Sequence, residues 1–274
     1  MKFLRIGFTL FAFSRLAHAD PAEDLAAALR RLEVAANYAW DTTVDPSPVS
    51  AERIENSPEL KGSGAKSVMA SQPIFAVSDR RMGTVYTSSR YGTHLAVRAV
   101  TNGRSALIER NGDWLAQEET ERQIALLPTP MRLADSRPLT LGRYMIALKP
   151  PAEELATLLA DANPAMHTGK TLTVTLSEAT AKRFVHELRF RDGMNAAPTP
   201  PSFAEGSVEF WIEGGHLAKY VVTIRTEVTR AVTSNSHPHP PREYPLLLTK
   251  TTTLKKFNQT RVGFPAAAAR MLGE

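Results

Sequence analysis

GSVEFWIEGGHLAKYVVTI, residues 206–224, alternates between oily and polar side chains on both sides of a double glycine. Val208, Phe210 and Ile212 fall on one face, with Ser207, Glu209 and Trp211 on the other. After Gly214-Gly215, Tyr220, Val222, Ile224 and Val228 resume the apolar face, and Lys219, Thr223, Arg225 and Glu227 oppose them. A side-chain period of two belongs to a strand with one buried face, and a two-residue glycine turn between such runs predicts a hairpin. Residues 246–257, rich in threonine, predict a third strand, since β-branched residues suit a pleated surface. The chain therefore closes on an antiparallel meander.

A second meander lies upstream. GTVYTSS and THLAVRAV (93–100) predict two strands, with Leu95, Val97 and Ala99 on one face. Asn102-Gly103, RSALIER, Asn111-Gly112 and DWLAQ follow. Asn-Gly between alternating runs marks tight turns, because both central residues need positive φ. Between the meanders, EETERQIALL, PAEELATLLADAN (151–163) and SEATAKRFVHEL (177–188) have helical character, and TLTVTLS (171–177) predicts a strand. Near the start, DPAEDLAAALRRLEVAAN (20–37) places Leu25, Leu29, Leu32 and Ala36 on one helical stripe. Tyr38, Trp40, Thr42 and Val44 then switch to period two. Residues 45–66, with Pro46, Pro48 and Pro58, predict a long surface loop, and PAAAARML (265–272) a closing helix. This order predicts an α+β fold: a single curved antiparallel sheet with helices packed across its concave face.

The first residues predict export. Lys2 and Arg5 precede an apolar run from Ile6 to Phe13, and Ala17-His18-Ala19 has the small-x-small pattern of a cleavage site. Residues 1–19 are expected to be a signal peptide cleaved before Asp20, and 20–274 a single domain, periplasmic or secreted. The apolar run is too short for a permanent anchor, so no transmembrane segment is expected in the mature chain. Losing residues 1–19 removes Lys2, Arg5 and Arg15 and no acid, lowering the formal charge from +5 to +2. So small a charge, with both signs interspersed, argues against nucleic-acid binding. There is no cysteine to carry a lipid or form a disulfide.

Chemical motifs are sparse. His237 and His239 sit one residue apart among prolines and are weak metal candidates. A third ligand would have to converge on them, and the simpler reading is a proline-stiffened loop. Gly169-Lys170-Thr171 lacks the earlier glycine of a phosphate loop and precedes a strand, so it reads as a turn. No nucleophile elbow, metalloprotease helix or dinucleotide fingerprint occurs. No catalytic residue and no cofactor is implied. The remaining candidates are the oily strand faces: Trp40, Leu95, Val97, Trp114, Phe210, Tyr220, Val222 and Ile224. They are expected to be core and, where the helices leave a crevice, to line it for an apolar ligand.

A leader peptide, a helix running into ANYAWDTTV (36–44), two meanders separated by helices, and the 206–224 hairpin together resemble the LolA/LolB/LppX superfamily. The run LTKTTTLKKF (248–257) leading into a Pro-Ala helix is similar to exported members of it. The resemblance implies an exported carrier of lipoproteins or lipids, built as an unclosed barrel capped by helices. Its implied partners are a lipid or lipoprotein ligand and another envelope protein. Absence of a lipid-bearing cysteine sets this chain apart from the lipid-anchored members. The alternatives are a periplasmic hydrolase whose groups converge only in the fold, and a purely structural or interaction module of the envelope.

Overall fold

The computed structural model describes residues 21–46, 74–79, 83–91, 95–110, 112–126, 141–142, 144–162, 166–168, 171–191, 201–230, 242–260, 263 and 265–273. The leader, residues 47–66 of the expected loop, and His237 and His239 lie outside them. The first half contains α1 (Pro21–Val34), β1 (Asn37–Pro46), β2 (Ile74–Asp79), β3 (Thr84–Tyr91), β4 (Leu95–Thr101), β5 (Ala106–Arg110) and β6 (Asp113–Ala116). Then come α2 (Gln117–Ala125), α3 (Pro151–Leu159), β7 (Met166–Thr168), β8 (Thr171–Thr175) and α4 (Glu178–Arg191). The last section is β9 (Ala204–Glu213), β10 (His216–Arg230), β11 (Arg242–Lys255) and α5 (Ala266–Leu272).

Among the described residues the strands form one sheet in the order β6-β5-β4-β3-β2-β1-β11-β10-β9-β8-β7. Every pairing is antiparallel, and β6 and β7 end the sheet without meeting, so the barrel is open. The two meanders are halves of this sheet, and β1 joins them by pairing with β2 on one side and β11 on the other. Thr42 and Thr252 reinforce that seam through a hydroxyl–hydroxyl hydrogen bond of 3.2 Å across a buried pair.

Local chemistry explains the turns. Gly214 and Gly215 both take positive φ, +56° and +76°, and β9 and β10 close directly around them at Glu213 and His216. Two residues on, a bulge between Leu217 and Lys219 inserts Ala218. It lets odd-numbered Leu217 and even-numbered Tyr220 face the same side, each about 1% exposed. At the second Asn-Gly pair, Arg110 pairs with Asp113 and Gly112 takes positive φ, +92°, as a tight hairpin turn requires. The first pair, Asn102-Gly103, is not a two-residue turn. Thr101 pairs with Ala106, leaving a four-residue loop in which the Asn102 side-chain oxygen accepts from the backbone N–H groups of Arg104 and Ser105. The strands β2 and β7 add to the set predicted from sequence.

Helices α1, α3 and α4 cover one face. Leu25, Ala28 and Leu32 of α1, Leu155 and Leu158 of α3, and Ala181 and Val185 of α4 join the inward side chains of the sheet in one core. Ser177 caps α4 by accepting from the Thr180 N–H at 3.2 Å. α5 lies on the opposite face. There Ala268 and Leu272 cover Val100, Leu107 and Trp114 in a second, smaller cluster, so not every helix is on the concave side.

α4 runs close over Gly206, where a Cβ would sit 3.1 Å from both Ile224 and Leu176 and 3.4 Å from Ala181. Gly206→Val should overpack this contact and cost about 1–3 kcal/mol. Urea unfolding of the variant against wild type measures it; unchanged stability would mean that the contact is looser than described.

Candidate functional site

Two features meet at α3, a nine-residue helix entered through Lys149-Pro150 and Pro151. Proline at the first helical position costs no hydrogen bond and presets the backbone. The Ala152 N–H, which the first turn leaves unpaired, donates to the Tyr38 hydroxyl at 3.4 Å.

The first feature is a buried polar triad. Glu154 and Leu158, one turn apart, share the side of α3 that faces the sheet, and Glu154 is only 4% exposed. Lys250 of β11 lies in register between Val222 of β10 and Val44 of β1. Its ammonium forms an ion pair with Glu154 Oε2 and stands 5.8 Å from the Phe184 ring centroid. The Tyr220 hydroxyl donates to Glu154 Oε1 at 2.8 Å. Each carboxylate oxygen therefore has a donor, the condition under which a buried charge is tolerated. Burial, and then the negative charge of Glu154, push the Tyr220 phenol well above its ordinary value; the hydrogen-bonded Thr252 hydroxyl offsets part of this.

The second feature is a crevice of about 500 Å³ on the other side of α3. Its walls are Leu29 and Leu32 of α1 and Ala152, Leu155, Ala156 and Leu159 of α3. Tyr38, Ser78 and Val85, paired side by side across β1, β2 and β3, make the floor. Glu33, Asp79 and Glu153 add the polar groups. The volume falls within the roughly 300–1,000 Å³ common to small-molecule pockets.

Trp40, Val97, Phe210, Tyr220, Val222 and Ile224 all point to the helix-covered face and are at most 3% exposed. They pack the core, and none stands in the wall of this crevice. Trp114 is on the opposite face under α5. Leu95 opens β4, and its side chain lies outside the described residues. Among the described residues no group of three or more His, Asp or Glu is placed to hold a metal.

Lys250 and Glu154 are not among the residues singled out from sequence. Both carried a signal. Lys250 is in phase with Leu248, Thr252 and Leu254, and Glu154 falls four residues before Leu158 on the apolar side of its helix. A charge on a buried phase on each of two elements suggests that the two charges meet.

No family model and no curated protein matches the chain. Among solved structures it is similar to the lipoprotein LppX of Mycobacterium tuberculosis: 8% identity, 88% of this chain and 96% of that chain covered, TM-score 0.42. It is similar also to LprF of Mycobacterium bovis: 10% identity, 90% and 96% covered, TM-score 0.41.

The triad yields two predictions. Glu154→Leu or Lys250→Met alone should cost about 3–5 kcal/mol, by leaving one charge buried without its partner, while the double variant recovers most of the loss. A double-mutant cycle in urea checks this, and additive losses would contradict it. Tyr220→Phe takes one donor from a buried carboxylate and should cost about 1.5–3 kcal/mol near neutrality. Because the folded phenol keeps its proton at pH values where the unfolded one loses it, wild-type stability should fall above about pH 10. Tyr220→Phe lacks this contribution, so the gap between the two should narrow there. A gap independent of pH up to 11 would contradict the assignment.

Proposed function

We propose that the protein is an exported, non-enzymatic binding protein that holds an acyl chain or another apolar group in the crevice between α1, α3 and β1–β3. The observation that carries this reading is the crevice itself: a space of about 500 Å³ whose walls are leucine, alanine, valine and tyrosine. Apolar walls with a few polar groups suit a ligand with an oily body and a polar end. The basic, apolar and small-residue regions of residues 1–19 support export to the periplasm or beyond. A partner protein of the envelope would deliver or receive the ligand.

The rival hydrolase reading needs a nucleophile with a base beside it. Ser78 is the one serine in the crevice's described lining, which includes carboxylates but no histidine or lysine. That chemistry fits binding better than acyl transfer.

Protein purified from its own cell envelope should release an acyl lipid on organic extraction, identified by mass spectrometry. Ala152→Trp and Ala156→Trp, which fill the crevice from α3, should abolish recovery of the lipid while leaving the melting temperature within a few degrees of wild type. Repeated recovery without lipid, and no thermal shift with added fatty acids or phospholipids, would remove the carrier reading and leave a structural module.

A further inference from the structure

We infer that the crevice selects a ligand whose polar end is an ammonium, a cation that donates hydrogen bonds, over one that ends in a carboxylate or phosphate. The inference rests on the apolar-ligand reading above and specifies the polar end of the ligand.

The charged groups of the crevice gather at one end of it. Glu33 stands in the last turn of α1, just before the chain enters β1. Asp79 closes β2 and pairs with Asn37, the first residue of β1. Glu153 is in the first turn of α3, the turn whose Ala152 N–H reaches Tyr38. All three elements thus converge on the start of β1. The apolar lining runs the other way, to Leu29 one turn back along α1 and to Ala156 and Leu159 further along α3. An occupant with its oily body along these residues brings its polar end to the carboxylates.

On the floor there, next to Asp79 and paired with Tyr38, lies Ser78, 8% exposed. Its hydroxyl has no hydrogen-bond partner among the described residues, and a buried hydroxyl left unpaired is costly. A ligand that bonds it removes the cost. The surrounding groups set the chemistry of that ligand. A carboxylate only accepts, whereas an ammonium only donates, through its N–H groups. The described lining holds three carboxylates and no lysine, arginine or histidine. An anionic end would meet like charge and find the Ser78 and Tyr38 hydroxyls as its only side-chain donors; an ammonium finds acceptors around it. Glu33 and Asp79 have interactions within the protein as well, but a carboxylate has roughly four acceptor sites and can take a further donor. The neighbouring cations are turned elsewhere, Arg31 to the Gly215 carbonyl and Lys149 to Glu187. The amide end of α3 favours an anion, but its Ala152 N–H is already given to Tyr38, and the carbonyl end of α1 favours a cation.

The test displaces a fluorescent apolar probe from the wild-type protein, at neutral pH and low salt, with decyl amphiphiles that differ at the polar end. Decylammonium should displace it at about one-tenth the concentration that decanoate needs, with decanol between them, and added salt should narrow the gap. Decanoate as tight as decylammonium, or tighter, would overturn this inference and leave the apolar-ligand reading standing. Displacement by none of the three would overturn both. Glu33→Gln combined with Glu153→Gln, both at exposed positions, should weaken decylammonium several-fold and decanol much less. An unaltered ratio would overturn the role given to the carboxylates. Ser78→Ala should weaken decylammonium more than decyltrimethylammonium, which carries the charge without a donor; equal weakening would overturn the role given to Ser78. Lysophosphatidylethanolamine and lysophosphatidylglycerol, matched in chain, identify the source. Displacement by the first alone places the ammonium on a phospholipid, and displacement by neither places it on a simple amine.

Discussion

A carboxylate that lies between a helix and a sheet must find donors there, and much of this architecture follows from how Glu154 finds them. Lys250 reaches it from β11 and Tyr220 from β10, so one side chain ties α3 to two neighbouring strands. Both strands belong to the closing meander, and β11 pairs with β1. Through that chain of contacts a helix of nine residues, too short to be stable alone, acquires a fixed place. Its other side is then free to form a wall. The same helix thus presents a charged anchor to the core and small apolar residues to a cleft.

The sheet has its own keystone in β1. Each meander is built from neighbours in sequence, but neither supplies the pairing that makes them one surface. Residues 37–46 do so from more than two hundred positions away, with Trp40 beside Leu254 and Thr42 beside Thr252. The inward faces of both halves then run together, and Tyr38, Trp40, Phe210 and Tyr220 share one core. The crevice opens above the paired row Tyr38, Ser78 and Val85, between α1 and α3.

At the other end of the sheet the apolar residues are not confined to one side. Val100, Leu107 and Trp114 fall on the face away from α1, α3 and α4, and a bare patch of that kind would be left in water. α5 covers it with Ala268 and Leu272, and the Asn102 side chain donates to the Leu272 carbonyl at 3.4 Å. The C-terminal helix is a cover for the far meander and no part of the crevice.

Alternation was enough to read much of this from the chain. Val208, Phe210, Tyr220, Val222 and Ile224 declared a one-faced ribbon, and Gly214-Gly215 its turn, because side-chain parity and positive φ are local properties. Leu25, Leu32, Leu155 and Leu158 declared their helices for the same reason, and the α+β class with an antiparallel sheet followed from element order. Local rules could not say where adjacent apolar residues such as Trp114 and Leu115 would point, and the register of β5 and β6 decided it. Nor could they locate the cleft, since a void lies between elements distant in sequence and is described by the spacing of α1 and α3. Glu154 and Lys250 were visible singly as charges on buried phases. Only tertiary packing brought them together across 96 residues, because a buried ion pair is a fact of distance, and sequence carries direction without distance.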